Sequence, residues 1–351
     1  MNIMKKGLIA IGLLVSLGSY AQDVKTYAPN AQEEGIVYYL PKTQLDVKVV
    51  AHKITYTPGE LCQYANRYLK LQDVVTQPKE YWEIQSITVQ PVGIPDENKA
   101  YRIKLKDKMV TSQVELTEDG IIKAINTTYP TETVTPPSVK STEVKRVDPR
   151  NYMTEEMLLA GSTSKMAELI AKEIYNIRES KNSLTRGQAD YMPQDGAALK
   201  IMLDNLNTQE KALTEMFTGY TEYSSQTYTF QVEPEQDIKD QVIFRLSNKL
   251  GVLHADNLAG EPFYLSIINK NPLPPTTEEE NNKKIVGVIY NIPGKAIVSI
   301  KGNGKKYIEE EFAITQFGET EVLTNSLFNK KINTRVIFNP ITGGIMKIDK
   351  D

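Results

Sequence analysis

The sequence has very few of the residues from which many active sites are built. It contains one cysteine, Cys62, and two histidines, His52 and His254. A lone cysteine excludes an intramolecular disulfide, and two histidines offer few ligands for zinc or for histidine-based catalysis. The formal net charge is only −3, which argues against nucleic acid as a partner, because nucleic-acid-binding domains carry a basic excess. We expect Cys62 to be a buried thiol on a short helix, with an intermolecular disulfide or a reactive thiol as the alternatives.

The sequence also has few hydrophobic runs, and the longest of them is a short stretch near the N-terminus. Two lysines precede an apolar stretch at residues 7–17, and Ser19-Tyr20-Ala21 supplies small residues at both required positions. This pattern predicts a secretory signal peptide over residues 1–21. No later run reaches the roughly 18–20 apolar residues of a membrane-spanning helix, so we expect no transmembrane segment in the mature chain.

The residue after the predicted cleavage point bears on lipid anchoring. A lipoprotein would need a cysteine there, but the chain has Gln22, and Cys62 lies far beyond it. We therefore expect an exported protein that is not a lipoprotein. It would reside in the periplasm, outside the cell, or in association with the outer membrane.

Hydrophobic periodicity divides the mature chain into three parts. Apolar residues alternate with polar ones in both end regions, which predicts half-buried strands, and recur every three or four residues in the middle, which predicts two amphipathic helices. The predicted fold class is α+β, with two antiparallel β regions separated by a helical hairpin. The predicted segments are the signal peptide (1–21), an N-terminal β domain with a short helical insertion (22–129), a Pro/Thr-rich linker (130–150), the helical hairpin (151–221) and a C-terminal β domain (222–351).

Two dipeptides predict hairpin turns. Asp119-Gly120 fits a type I′ turn, in which both central residues have positive φ. Asn303-Gly304 is a second hairpin signal. The surrounding Gly302-Asn303-Gly304-Lys305 has a faint likeness to a phosphate-binding loop, but it lacks the earlier glycine and the Ser or Thr after the lysine. We therefore favour a turn there.

The two β regions contain similar segments. Residues 35–41 read GIVYYLP and residues 287–293 read GVIYNIP, and each begins a predicted strand. A second match relates the hairpins at residues 120–123 and 344–347. We interpret these matches as a candidate divergent duplication, with convergence on one strand-turn form as the alternative. Each proline is predicted to end its strand, since proline cannot donate to a β ladder.

The sharpest catalytic candidate is the pair Ser162 and Lys165. They form an S-x-x-K quartet at the predicted start of a helix, and one helical turn would place the lysine amine beside the serine hydroxyl, as acyl-enzymes require. The accompanying K-[ST]-G and S-D-N motifs are absent from the sequence. Helix N-capping by Ser162 is the favoured alternative.

Acidic residues are plentiful, notably Glu278–Glu280, Glu309–Glu311, and Asp190 with Asp195. Glycoside hydrolysis needs two carboxyl groups facing each other across a sugar, and strand alternation sends neighbouring glutamates to opposite faces. The segment around Asp190 lacks the ligand density of a calcium loop, and helix capping is the better interpretation of Asp195. The sequence predicts no metal site and no cofactor.

Aromatic residues are strongly skewed, with 19 Tyr, 8 Phe and 1 Trp. Tyrosine suits strands that bury a ring while the hydroxyl contacts water. A glycan-stacking surface is the alternative, and it would require exposed rings such as Trp82 or Tyr39.

Five segments of the chain together resemble one known family. They are residues 37–43, 63–69, 160–168, 175–180 and 316–318. The family they resemble is an uncharacterised group of exported Bacteroidetes proteins, the domain of unknown function numbered 4831. This resemblance implies export and a similar length, and it brings no catalytic residues.

Charged residues close the first predicted helix and its loop. We consider Arg178, Glu179, Arg186 and Asp190 as interaction candidates, with solvated helix-end charges as the alternative.

These observations favour a non-catalytic binding or scaffolding protein of the bacterial cell envelope, with an envelope protein or a glycan as partner. The alternatives are a hydrolase of cell-wall or dietary polymers, using carboxylates or Ser162 and Lys165, and a glycan-binding module.

Overall fold

The structure is a computed structural model that describes residues 36–103, 113–130, 146–193, 195–272, 287–324, 327 and 334–350. The predicted signal peptide and most of the predicted linker lie outside these ranges. The described chain has the predicted α+β architecture, rich in antiparallel strands.

The described residues form twelve strands, four α-helices and two short 3₁₀ helices. The 3₁₀ helices cover Cys62–Tyr64 and Pro149–Tyr152, and the α-helices are α1 (Ala65–Leu69), α2 (Glu155–Leu158), α3 (Thr163–Thr185) and α4 (Gly196–Thr218). The strands are β1 (Ile36–Thr57), β2 (Lys79–Ile103), β3 (Val114–Leu116), β4 (Ile122–Ile125), β5 (Tyr220–Val232), β6 (Ile238–Ser247), β7 (Gly251–His254), β8 (Glu261–Asn269), β9 (Gly287–Gly302), β10 (Lys305–Thr324), β11 (Thr334–Phe338) and β12 (Ile345–Lys350).

The strands form three antiparallel sheets. Their orders are β2-β1-β5 in the first sheet, β10-β9-β8-β6-β7 in the second, and β12-β11-β4-β3 in the third. The first two sheets pack face to face because alternate residues of β1, Leu45, Val47 and Val49, are fully buried against the second sheet. Phe244 and Phe263 stack there with ring centroids 4.4 Å apart. Each fully buried aliphatic side chain stabilises the fold by roughly 1.5–3 kcal/mol.

Strands from the two predicted β domains are interleaved. β1 pairs with β5 over Leu45–Thr57, and β4 pairs with β11. The stretches 22–129 and 222–351 therefore share the first and third sheets, and each stretch completes a sheet of the other.

The prediction that Pro41 and Pro293 end their strands is wrong. β1 continues through Pro41 to Thr57, and β9 continues through Pro293 to Gly302. Both prolines lie at or beside register shifts. A proline is tolerated inside a strand at such a bulge, because the ladder is already interrupted there.

The two bulges have the same form. In the β1–β2 ladder, Leu40 alone lies opposite the four residues 96–99, between the pairs Tyr39–Ala100 and Pro41–Pro95. In the β9–β10 ladder, Pro293 alone lies opposite the four residues 315–318. Each long hairpin therefore has a one-against-four bulge inside its matched segment, at the sixth residue of 35–41 and at the seventh residue of 287–293.

A buried polar cluster joins β1 to the bulge of β10, and we call Thr43, Thr315 and Gln316 the polar crossing. The Thr43 backbone N donates to Thr315 Oγ1 at 2.9 Å and to Gln316 Oε1 at 3.0 Å, and Gln316 Nε2 donates to the Thr43 carbonyl at 2.8 Å. Thr43 and Thr315 are buried. Because buried backbone groups must be paired, Gln316 satisfies both main-chain groups of Thr43.

Tyr38 makes a second connection between β1 and β9. Its hydroxyl donates to the Ile289 carbonyl at 3.1 Å and accepts from the Ile289 N–H at 2.8 Å. The side chain is 1% exposed, and burial raises the pKa of the Tyr38 hydroxyl. The phenol is therefore a neutral structural link.

Turn predictions are confirmed in position, and one is wrong in type. Asn303 and Gly304 both have positive φ, 50° and 68°, as a type I′ hairpin between β9 and β10 requires. The hairpin at Asp119-Gly120 also forms, but only Gly120 has positive φ, 82°. Its loop is longer, since the Thr117 N–H donates to the Ile121 carbonyl.

The predicted helical hairpin is confirmed by α3 and α4. Ile170, Ile174 and Ile177 on α3 share a hydrophobic core with Leu213 and Phe217 on α4. Both helices are capped at their N-termini by side chains: Ser162 and Asp195 accept hydrogen bonds from N–H groups of the first turn. Ala65 and Leu69 of α1, together with Leu61 just before the first 3₁₀ helix, cover the same core.

The close approach of β9 to the bulge yields a test at Gly318. A Cβ at this position would overlap the Ile292 carbonyl, so Gly318→Ala should lower the free energy of unfolding by about 1–3 kcal/mol. Gly161 is the matched control, because its Cβ would meet nothing within 4 Å; Gly161→Ala should change stability by less than about 0.5 kcal/mol. Urea unfolding measures both, and equal losses would contradict the packing assignment.

Candidate functional site

Ser162 and Lys165 form a helix start. The Ser162 Oγ accepts a hydrogen bond from the Lys165 backbone N at 3.2 Å, as an N-cap does. The Lys165 Nζ pairs with Glu168 Oε1 at 3.1 Å. The geometry therefore matches the capping interpretation and holds the lysine amine at a carboxylate one turn further along the helix.

A shallow depression of about 460 Å³ lies beside this helix start. Its wall is partly apolar and partly acidic, and Ser162 does not contribute to it. The lining residues are Glu155, Glu156, Leu159, Ala160, Lys165 and Leu169.

The histidines and the cysteine lie apart. His52 is half-buried on β1 with its ring 6.1 Å from that of Tyr223, and His254 is exposed and pairs with Asp256 at 3.2 Å. Cys62 begins the first 3₁₀ helix and is half-buried, less than predicted. Within the described ranges, no group of three His, Cys, Asp or Glu residues is placed to hold a metal ion.

Two glutamates of the run Glu309–Glu311 on β10 are engaged in ion pairs. Glu311 lies between Lys270 at 2.7 Å and Lys295 at 3.0 Å, and these hydrogen bonds lower the pKa of Glu311 to about 2. Glu309 pairs with Lys306 at 2.6 Å. A general acid in glycoside hydrolysis needs a raised pKa, so Glu311 does not suit that role. Glu278–Glu280 lie outside the described residues.

Trp82 does not provide the exposed ring that the glycan-stacking alternative requires. Its side chain is 8% exposed and belongs to the core between the first two sheets. Gly251 on β7 packs against the indole face. Tyr39, the other candidate, is half-buried beside Gly120. Burial leaves no stacking face on Trp82 for a sugar.

Lysines surround the β9–β10 turn, next to a depression of about 500 Å³. Lys301 pairs with Asp240 at 2.8 Å, and Lys305 lies 5.0 Å from the centre of the Tyr307 ring. These contacts neutralise or shield part of the basic charge, so the turn is a hairpin with local ion pairs.

Arg178 is a structural link between α3 and α4. Its Nε donates to Glu210 Oε1 at 2.6 Å, and Lys181 Nζ donates to Glu210 Oε2 at 2.6 Å. Burial raises the pKa of the Glu210 carboxyl, but the hydrogen bonds from the two cations outweigh it and the net pKa is lowered. The other interaction candidates, Glu179, Arg186 and Asp190, are exposed.

Two of these residues, Arg186 and Asp190, belong to a surface that the sequence did not reveal. We call this surface the hairpin tip, and it comprises residues 186–201 without 194. Tyr191 is 71% exposed, Ile201 is 62% exposed and Met192 is 38% exposed. The fully buried residues of α4 all lie in its last two turns, at 212–217. The first half of α4 therefore extends beyond the core, and apolar side chains point to solvent there.

The hydrophobic periodicity of α4 gives no indication that its first half is exposed. Leu199, Leu203 and Leu206 recur at helical spacing and predict a buried face, but each is only half-buried. Two features of the sequence could have indicated the tip. Tyr191 and Met192 are apolar residues in a turn-rich loop, and Ile201 is an apolar residue on the polar side of the helix.

Taken together, the fold is an α+β scaffold of three sheets, two of which combine strands of both β regions, with a helical hairpin between these regions in sequence. A family model described as Domain of unknown function (DUF4831) matches residues 34–346, and the chain belongs to this family. No curated protein and no solved structure matches the chain. In the described part of the chain, none of the helices has the length and apolarity needed to cross a membrane.

The segments that carried the family resemblance meet inside the structure. Thr43 and Gln316, from two of them, form the polar crossing. Tyr68, in the segment 63–69, contacts two further segments. Its hydroxyl lies 3.0 Å from Ser164 Oγ in the segment 160–168, and its carbonyl accepts a hydrogen bond from the Tyr175 hydroxyl in the segment 175–180, at 3.2 Å. These residues therefore hold the architecture together.

The capping role of Ser162 predicts the effect of two substitutions. Ser162→Ala should lower the free energy of unfolding by about 1 kcal/mol, whereas Ser162→Asp, which also caps, should retain it. Urea unfolding measures both. Fluorescent-penicillin labelling of the wild type that disappears in Ser162→Ala would contradict the structural role and support the hydrolase alternative.

The Arg178–Glu210–Lys181 link predicts a pH-dependent contribution to stability. Because the pKa of Glu210 is lowered from 4.5 in the folded state, its stabilising contribution is present above pH 4.5 and is lost as the pH falls through the folded-state pKa. The difference in unfolding free energy between wild type and Glu210→Gln, on the order of 1 kcal/mol at neutral pH, should shrink on acidification. The exposed Glu179→Gln is the control, and a pH-independent difference for Glu210→Gln would refute the link.

Proposed function

We propose that the protein is a non-catalytic binding or scaffolding component of the bacterial cell envelope that contacts another envelope protein through the hairpin tip. The observation that carries this proposal is the exposure of Tyr191 and Met192 in the loop between α3 and α4 and of Ile201 in the second turn of α4. Exposed apolar side chains that are grouped and bordered by polar residues are typical of interaction sites.

The hairpin presents these side chains on a rigid support. The α3–α4 pair is fixed by the Glu210 ion pairs and by the core below them. Burying Tyr191 and Ile201 in a partner would contribute roughly 1.5–3 kcal/mol each. Arg186 and Asp190, both exposed, would form the polar rim that surrounds such contacts. An apolar centre with a mixed-charge rim favours a protein partner over a glycan.

Export is the second part of the proposal. The sequence of residues 1–21 supports it, with its basic start, short apolar stretch and small residues before Gln22. Family membership is compatible with it, since the resemblance implies exported Bacteroidetes proteins. We place the mature protein in the periplasm or at the outer membrane.

The scaffold itself we infer to be a divergent duplication of a unit with one long and one short hairpin. The equal bulges at Leu40 and Pro293 support this origin. The backbone N–H groups of Tyr39 and Asn291, at matching positions, also bond to glycine carbonyls of the respective short hairpins, at 2.9 Å and 3.2 Å. The matched Tyr290 has diverged: its hydroxyl bonds to Glu321 at 2.6 Å.

Site-specific photocrosslinking tests the binding role. A benzophenone amino acid placed at Tyr191 in the full-length, exported protein should give a discrete adduct with an envelope protein after irradiation of cells. Leu258 is the matched control, since it is 81% exposed on a loop of the second sheet, and the same probe there should give no such adduct.

The substitution Ile201→Ser should reduce the Tyr191 adduct several-fold without changing export or stability, because Ile201 is exposed. Adducts of equal yield at positions 191 and 258, or none at 191, would contradict the proposal.

A further inference from the structure

The edges of the sheets differ in how they are protected against pairing with another strand. In the described residues the edges are formed by β2 and β5, by β7 and β10, and by β3 and β12. An exposed sheet edge presents unpaired N–H and C=O groups, and natural proteins usually blunt such edges with short strands, lysines, prolines or bulges.

Five of these edges carry such devices. β3 and β7 have only three and four residues. β2 contains Pro91 in its middle and Pro95 beside its bulge, and β10 combines Lys305 and Lys306 with a bulge of its own. β12 is short and carries two lysines.

β5 has none of these devices. It is 13 residues long, contains no proline, lysine or arginine, and its single charge is Glu222. It pairs with β1 from Tyr220 to Val232 without a register shift. Residues 221–227 are all exposed. The outer side of β5 is thus a long, regular and nearly neutral edge.

We propose that β5 pairs with β5 of a second copy of this chain, antiparallel about a two-fold axis at Ser225. The pairing would join two first sheets into one six-stranded sheet, β2-β1-β5-β5-β1-β2. This inference is independent of the hairpin tip and of its proposed partner.

The sequence of β5 is self-complementary about this axis. Paired residues in an antiparallel ladder point to the same face, so the axis must pass through a residue, and Ser225 is the centre of the stretch 221–229. Glu222 then lies opposite Tyr228, which keeps the two carboxylates of the dimer apart. The remaining cross-strand pairs combine hydroxyl and aromatic groups: Thr221 with Thr229, Tyr223 with Thr227, and Ser224 with Gln226.

Closure distinguishes this dimer from open-ended aggregation. The two-fold pairing consumes both unprotected edges, since each copy contributes its only β5. The outer strands of the six-stranded sheet are then the two β2 strands, which Pro91, Pro95 and the bulge protect. The assembly therefore ends at two copies.

Charge substitutions at the axis test the proposal. Sedimentation equilibrium of the purified mature protein should give twice the mass of one chain. Ser225→Lys and Ser225→Glu should each yield monomers, because like charges would lie directly opposite each other, and an equimolar mixture of the two variants should restore the dimer mass. Thr88→Lys, at an exposed position of β2, is the matched control and should remain dimeric.

Disulfide trapping tests the register. In a Cys62→Ser background, Ser225→Cys should crosslink two chains under mild oxidation, because residues paired across a ladder have Cα atoms about 4.5–5.5 Å apart, within disulfide range. Thr229→Cys should not, because its symmetry mate would lie eight residues away along the strand, about 26 Å. A monomeric wild type, no rescue on mixing, or equal crosslinking at both positions would overturn the proposal.

Discussion

The polar crossing of Thr43, Thr315 and Gln316 is the constraint on which the rest of the structure depends. Along β1, it lies between the residues that pack with the third sheet and those that enter the core between the first two sheets. It satisfies the backbone of Thr43 at a point where the β10 ladder is interrupted by its bulge. On one side of the crossing, Tyr38 ties β1 to β9; on the other, Leu45 and the alternate residues after it enter the main core. A buried, fully paired polar cluster specifies one arrangement of strands more strictly than apolar packing does.

Local pattern was sufficient to predict most elements of the fold. The period-two runs became strands, the period-3.6 runs became α3 and α4, and the caps at Ser162 and Asp195 are in place, because these features depend on neighbours a few residues apart. The pairing of β1 with β5 and of β4 with β11 was not predictable in this way, since register between distant strands depends on tertiary contacts. The prediction that prolines end β1 and β9 is wrong for the same reason, because whether Pro41 interrupts a ladder depends on the residues that lie opposite it.

The candidate surfaces illustrate a similar limit. Arg178 is an interaction candidate by sequence because it is a charged residue near a helix end. In the structure it pairs with Glu210, which lies 32 residues further along the sequence. Trp82 was an obvious stacking candidate by residue type, yet it is a core residue. The exposed apolar residues at 191, 192 and 201 were overlooked, because exposure is a property of the assembled hairpin and helical periodicity alone predicts burial.

The order of strands in the first sheet also has a consequence for how the chain folds. β1 cannot complete its ladder until β5 is available, and the helical hairpin lies between them in sequence. Long-range strand pairing of this kind raises the contact order and slows folding, since a large loop must close before its contacts form. Leu45, Val47 and Val49 on β1 are covered by the second sheet, whose strands all follow β5 in the chain, so this core also depends on distant residues. A protein with this connectivity completes its N-terminal core only when the strands of the second sheet are in place.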